Sequence, residues 1–139
     1  MSARVARKKT LFSVPESPDE PPALLVGRCS CGHRFFPPQR LGCEQCGAFG
    51  DSIAIAPLAA RGVLKTFATA VRQTRPGGDA PLSVGGVLLD DGPFVEVVLD
   101  VDDAGALAPG LRVSGRLVTV GEDDAGHAVV DLFFAPETA

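Results

Sequence analysis

Tryptophan and tyrosine are absent from this chain of 139 residues, and histidine occurs only as His33 and His127. That scarcity removes most of the side chains from which an acid–base or nucleophilic constellation is assembled. Carboxylates do occur in groups, Asp100, Asp102 and Asp103 in one stretch and Glu122, Asp123 and Asp124 in another. Both groups fall in loops rather than converging on rigid strands, and solubilising loop charge accounts for them. The chain on its own is not expected to be an enzyme. A long apolar run is missing too. Met1 to Thr10 is basic and polar, and the nearest apolar run, Ala23-Leu24-Leu25-Val26, is too short for a signal peptide or a membrane span. The expectation is a cytoplasmic chain with no membrane partner and no disulfides.

What is present is a cluster of all four cysteines. They stand as Cys29-Ser30-Cys31 and, after eleven intervening residues, Cys43-Glu44-Gln45-Cys46, with Gly32 and Gly47 following the pairs. Two close pairs at this separation bring four thiolates around one Zn2+, and a glycine after each pair lets the backbone turn back toward the metal. A redox dithiol would normally open a helix, and no helical period follows Cys46. Four sulfurs close the tetrahedron, so the zinc is expected to be structural. His33, two residues past Cys31, is the alternative ligand should one cysteine be badly placed. No cysteine then remains as a free nucleophile.

Charge divides the chain. Residues 1–75 hold eleven Lys/Arg and five Asp/Glu, a balance of +6, whereas residues 76–139 hold two and twelve, a balance of −10. The first 23 residues read as an extended or disordered arm, with a basic cluster (Arg4, Arg7, Lys8, Lys9), an apolar handle (Leu11, Phe12, Val14) and the proline-rich run 15–22. Residues 24–56 are too few to fold on an apolar core, so the metal must supply about 10 kcal/mol or more of folding energy.

Residues 57–136 read as five strands separated by turns: Gly62–Val71, Leu82–Leu89, Phe94–Leu99, Leu111–Val120 and Ala128–Phe134. Asp90-Asp91-Gly92 is a tight turn, and Arg72–Pro81 reads as a loop. In the fourth strand Leu111, Val113 and Leu117 share one face, while Arg112, Ser114 and Arg116 line the other. In the last, Val130, Leu132 and Phe134 lie opposite Val129, Asp131 and Phe133. Five strands of this length suit an OB-type barrel, and strand glycines such as Gly85, Gly86 and Gly115 suit its bends. The fold class expected is all-β: a rubredoxin-like zinc ribbon followed by a five-stranded OB-fold barrel.

The run Arg28-Cys29-Ser30-Cys31-Gly32-His33-Arg34-Phe35-Phe36-Pro37-Pro38, with Cys43 and Cys46-Gly47 behind it, resembles the ribbon of a bacterial and archaeal family in which that ribbon precedes an OB-fold domain. Gly62-Val63-Leu64-Lys65-Thr66-Phe67 and Phe133-Phe134-Ala135-Pro136 are similar to the start and end of the family's barrel. The likeness covers about residues 24–136. The chain departs from it in having C-x-C at the first knuckle, where C-x-x-C is usual, and a proline-rich arm where many members have a helix. The resemblance implies a noncatalytic accessory subunit of a thiolase-like or hydratase-like enzyme acting on acyl-CoA thioesters. The small subunit of a benzoylsuccinyl-CoA-type thiolase is one such protein. It further implies a hetero-oligomer, docked through ribbon and arm, with the barrel helping to accommodate the CoA thioester.

Arg72 and Arg75, flanking the Pro76-Gly77-Gly78 step, are the candidates for holding CoA phosphates. The alternative is a nucleic-acid-binding zinc-ribbon/OB protein. An acidic barrel whose four phenylalanines (Phe67, Phe94, Phe133, Phe134) are wanted in the core argues against that alternative, and no nucleic-acid partner is expected.

Overall fold

The structure is a computed structural model that describes residues 4–17 and 20–137, with Val71 described by its backbone alone. Ten strands run in chain order: β1 Arg4–Ala6, β2 Phe12–Ser13, β3 Ala23–Cys29, β4 Arg34–Phe35, β5 Ile53–Ala59, β6 Arg61–Thr74, β7 Pro81–Leu89, β8 Phe94–Leu99, β9 Arg112–Glu122 and β10 Ala128–Pro136. The helical elements among the described residues are two single turns, Gly50–Ser52 and Ala104–Ala106. None is long and apolar enough to cross a membrane.

Strands β6 to β10 close on themselves in the order β6-β7-β8-β10-β9, with β9 returning to β6. All neighbours are antiparallel except β8 and β10, which pair in parallel at Leu99↔Phe134. That is the strand order of an OB barrel. Its interior is filled by Leu64, Val87, Val95, Leu99, Val113 and Phe134. The strands expected from the sequence are all present. The ends shift by up to three residues, most at β6, which runs on to Thr74 rather than Val71, so Arg72 lies on a strand and the loop shrinks to residues 75–80. The cause is the continued pairing of the hairpin, which reaches Thr74↔Pro81 after a register shift.

A second sheet is built on β3, which pairs with β5 along one edge and with β2 and β4 along the other. The arm is extended and makes contacts in both sheets; residues 1–3 and 18–19 lie outside the described set. Strand β1 lies parallel to the start of β10, Arg4↔Ala128 to Ala6↔Val130, and β2 places Phe12 opposite Leu24. The Arg7 guanidinium donates to Asp131 at 3.1 Å. The period-two pattern of β10 predicts one exposed face, yet Val130 to Ala135 are all buried, and at Asp131 the arm provides the cover.

The paired phenylalanines of the Phe35-Phe36-Pro37-Pro38 run divide between the units. Phe35 lies over Gly27, where a Cβ would come within 2.3 Å of the ring. Phe36 packs against the barrel core together with Leu24, Leu58 and Phe12. Ribbon and barrel also meet where the Arg34 guanidinium donates to the Asp91 carbonyl at the β7–β8 turn.

One side of the barrel is tied by ion pairs. Arg112 holds Asp90 in a two-pronged contact at 2.7 Å on each oxygen, and Arg61 holds Glu137 at 2.8 Å. The Arg112 hydrogen bond depresses the Asp90 carboxyl below its usual range, and Arg61 does the same to Glu137. A depressed folded value means stability that is complete above the unfolded carboxylate range near pH ~4 and lost as pH falls through the folded values. Asp90→Asn should therefore flatten the acid limb of a denaturation-midpoint profile. An unchanged acid limb would show that this pair carries none of the pH dependence.

Candidate metal centre and binding faces

Each cysteine pair sits on a tight turn. The Gly32 N–H donates to the Cys29 carbonyl at 2.9 Å and the Gly47 N–H to the Cys43 carbonyl at 2.8 Å. Both glycines adopt positive φ, 97° and 76°, where a side chain would be strained. The loops are closed by Cys29 N–H to the His33 carbonyl and Cys43 N–H to the Ala48 carbonyl. These turns bring Cys29, Cys31, Cys43 and Cys46 together with every Sγ within 4.8 Å of the others.

The sulfurs of Cys29 and Cys46 are 3.5 Å apart and those of Cys31 and Cys43 are 3.7 Å apart. A disulfide needs about 2.05 Å. Tetrahedral zinc with ~2.3 Å bonds to sulfur separates its ligands by ~3.8 Å, so the donor set fits Zn2+. The Cys31 N–H and the neighbouring thiols draw the Cys29 thiol down to about 7. Cys46 receives the Ala48 N–H, yet its hydrogen bonds with Cys29 and Cys31 push it up to about 12. Four thiolates this close would repel one another, and a divalent cation at their centre would relieve that repulsion. Cys29, Cys31, Cys43 and Cys46 would hold the metal, and with all four positions taken by sulfur it would supply folding energy rather than a site for water or substrate.

His33 stands outside the cluster. Its ring stacks on Phe35 with centroids 5.9 Å apart, and Nε2 lies 2.8 Å from Glu44 Oε1. His127 caps its own hairpin: Asp123 accepts from its backbone N–H at 2.7 Å and approaches Nδ1 at 3.3 Å.

The two arginine candidates separate. Arg72 is exposed on β6, whereas Arg75 is only 17% exposed and is engaged by Asp100, with Asp102 at 3.4 Å. Asp100 is shared with Arg116 of β9.

The expectation that the barrel phenylalanines serve its core holds for Phe133 and Phe134, both fully buried, and not for Phe67 and Phe94, which are exposed. These two help line an open cleft of about 330 Å³ on the β6–β7–β8 face, along with Thr66, Val84, Gly86 and Glu96. The Phe94 ring lies across Gly86, which has no side chain to displace it. On the ribbon, Leu41 and Phe49 are 91% and 72% exposed. Gln39 fixes the first of these: its Oε1 accepts from the N–H groups of Leu41 and Gly42, and its Nε2 donates to the Gly42 carbonyl. The turn thus presents an apolar side chain to solvent from a rigid base.

No family profile matches the chain, and no curated protein matches it in sequence. Among solved structures, a chain titled "Ltp2-ChsH2(DUF35) aldolase" superposes with a TM-score of 0.63 at 22% identity, covering 82% of this chain and 84% of that one. The chain therefore shares its ribbon-and-barrel fold with a chain of that aldolase.

Proposed function

We propose that this chain is a noncatalytic accessory subunit of a thiolase-like enzyme acting on acyl-CoA. In this reading it docks on the catalytic subunit and helps accommodate the CoA thioester. The observation that carries the reading is the fold likeness to a chain of a named enzyme complex, which extends over ribbon and barrel together. Aldol and thiolytic cleavage both break a carbon–carbon bond, so the aldolase of that title and a thiolase pose related tasks to the catalytic subunit. The residues agree with a supporting part. The four cysteines are grouped in a metal-type cluster, and both histidines are tied to carboxylates. Leu41 and Phe49 are the docking anchors, because rigidly presented apolar side chains at a small module's tip gain most from entering a partner's pocket.

Alone, the chain should turn over no acyl-CoA, and a thiolase-like catalytic chain from the same source should be impaired without it. Mixing the two should restore turnover and give a complex that co-elutes. Leu41→Asp with Phe49→Asp, both at exposed positions, should leave the melting temperature unchanged and weaken the complex about tenfold or more. Full activity of the catalytic chain by itself would defeat the proposal.

Exposed Phe67 and Phe94 favour a second reading, single-stranded nucleic acid stacking on the β6–β8 face. The charged residue lining that cleft is Glu96, and no lysine or arginine is among its lining residues to meet a phosphate. Salt-sensitive binding of an oligonucleotide by the isolated chain, lost in Phe94→Ala, would turn the argument to this second reading.

A further inference from the structure

The two arginines of the acidic half, Arg112 and Arg116, lie on one strand and point to the same side, along with Ser114. Strand pairing places Arg61 of β6 directly opposite Ser114, so Arg61 and Arg116 are diagonal neighbours flanking the serine hydroxyl. The three line an open cleft of about 440 Å³ with Ala135, Pro136 and Glu137. We propose that this cleft binds a phosphate group of a small anionic ligand, held between the Arg61 and Arg116 guanidiniums and the Ser114 hydroxyl.

The ion pairs around the cleft make those two arginines the ones free to change partner. Glu137 is approached by Arg112 at 3.9 Å as well as by Arg61, and Asp100 is paired with Arg75 as well as with Arg116. Each carboxylate therefore keeps a cation if Arg61 or Arg116 turns toward a ligand. The two that would turn are also the more exposed, at 57% and 60%, against 42% for Arg112 and 17% for Arg75. The charged residues lining the cleft are two arginines and one glutamate, a local excess of positive charge, although every lining residue but Arg61 comes from residues 76–139, which carry −10. Planar guanidinium forks match phosphate oxygens in pairs, which a carbonyl or hydroxyl ligand would not exploit. That the phosphate belongs to CoA rests on the accessory-subunit reading; the phosphate chemistry itself does not.

The isolated full chain, titrated with inorganic pyrophosphate and separately with CoA, tests this by calorimetry and by amide chemical shifts. Both should bind saturably at low salt and more weakly at about 0.15 M, with the shifts centred on Arg61, Ser114 and Arg116. Arg61→Gln with Arg116→Gln should weaken binding by about tenfold or more, and Ser114→Ala, which disturbs no ion pair, by a smaller factor. Arg72→Gln should leave it unchanged. Pyrophosphate binding without CoA binding would keep the phosphate cleft and remove CoA as its ligand. The proposal is overturned if neither ligand binds saturably, if the double variant and Ser114→Ala bind like wild type, or if Arg72→Gln abolishes binding. Co-elution with the catalytic chain is scored separately, so loss of the cleft and loss of the accessory reading give different results.

Discussion

Replacing Cys43 with serine is expected to strip the metal and unfold the segment from Cys29 to Ile53 while the barrel stays folded. Apart from Phe36 on the barrel core and the Arg34 contact with Asp91, the segment has little else to hold it. Its buried cluster consists of Cys29, Phe35, Cys43 and Ile53, with Ala48 packed alongside, and two of the four are themselves cysteines of the metal-type cluster. Structural zinc supplies on the order of 10 kcal/mol or more, far beyond what two apolar side chains contribute at about 1.5–3 kcal/mol each. The barrel has its own core, and Leu24 at the start of β3 belongs to that core rather than to the metal cluster. Unfolding should therefore stop partway along β3. Metal analysis should fall from about one equivalent to none, because three remaining sulfurs leave the tetrahedron open. Amide exchange should accelerate between Cys29 and Ile53 and stay slow at Leu64, Val87 and Phe134. A Cys43→Ser chain that keeps both zinc and slow exchange in the knuckles would sink the assignment. So would a barrel that melts along with them.

The ribbon and the five barrel strands were legible because their signals are local. Cys29-x-Cys31 and Cys43-x-x-Cys46 with trailing glycines, and apolar runs cut by turns such as Asp90-Asp91-Gly92, need only neighbouring residues to be read. What escaped depends on contacts distant in sequence. Strands β1 and β2 are three and two residues long, too short for any period; β1 exists because Arg4–Ala6 finds β10 more than a hundred residues away, and β2 because Phe12 and Ser13 find β3. The same holds for the arginine cleft. Arg112, Ser114 and Arg116 were readable as one face of a strand, but only the β6–β9 pairing adds Arg61 opposite Ser114. Arg75 stood out in the sequence beside Gly77-Gly78; its engagement by Asp100 and Asp102 comes from the fold. Phe67 and Phe94 are exposed because aromatic residues are common on strands whether or not the face is covered. Hydrophobicity alone did not place them.

The arm leads to the second large effect: Phe12→Ala should destabilise the whole chain, not just its amino terminus. Phe12 is buried in the main core that also holds Leu24 of the ribbon sheet and Phe134 of the barrel, so its ring belongs to a core shared by both units. Removing a buried phenylalanine ring costs about 3–5 kcal/mol, the upper end applying where the surroundings cannot collapse. Here the ring is held between two sheets whose backbones are fixed by their own hydrogen bonds, so little collapse is available. The rest of the arm is attached by β1, paired with β10 from Arg4↔Ala128 to Ala6↔Val130, by β2 at Phe12↔Leu24 and Ser13↔Ala23, by the packing of Ala6, Leu11 and Val14 on the core, and by Arg7 donating to Asp131; Phe12 is its buried aromatic ring. Arg7→Ala is the informative companion. The Asp131 side chain is 6% exposed, and losing its cation leaves a buried carboxylate supported by the Leu132 N–H, at a cost of roughly 1–3 kcal/mol. In chemical denaturation both variants should lower the midpoint, Phe12→Ala by more. Because the ring's core is shared by both units, exchange should accelerate in the ribbon sheet and in β10 alike. If Phe12→Ala stayed within about 1 kcal/mol of wild type, the arm would be a surface ornament and not the strap that couples ribbon to barrel.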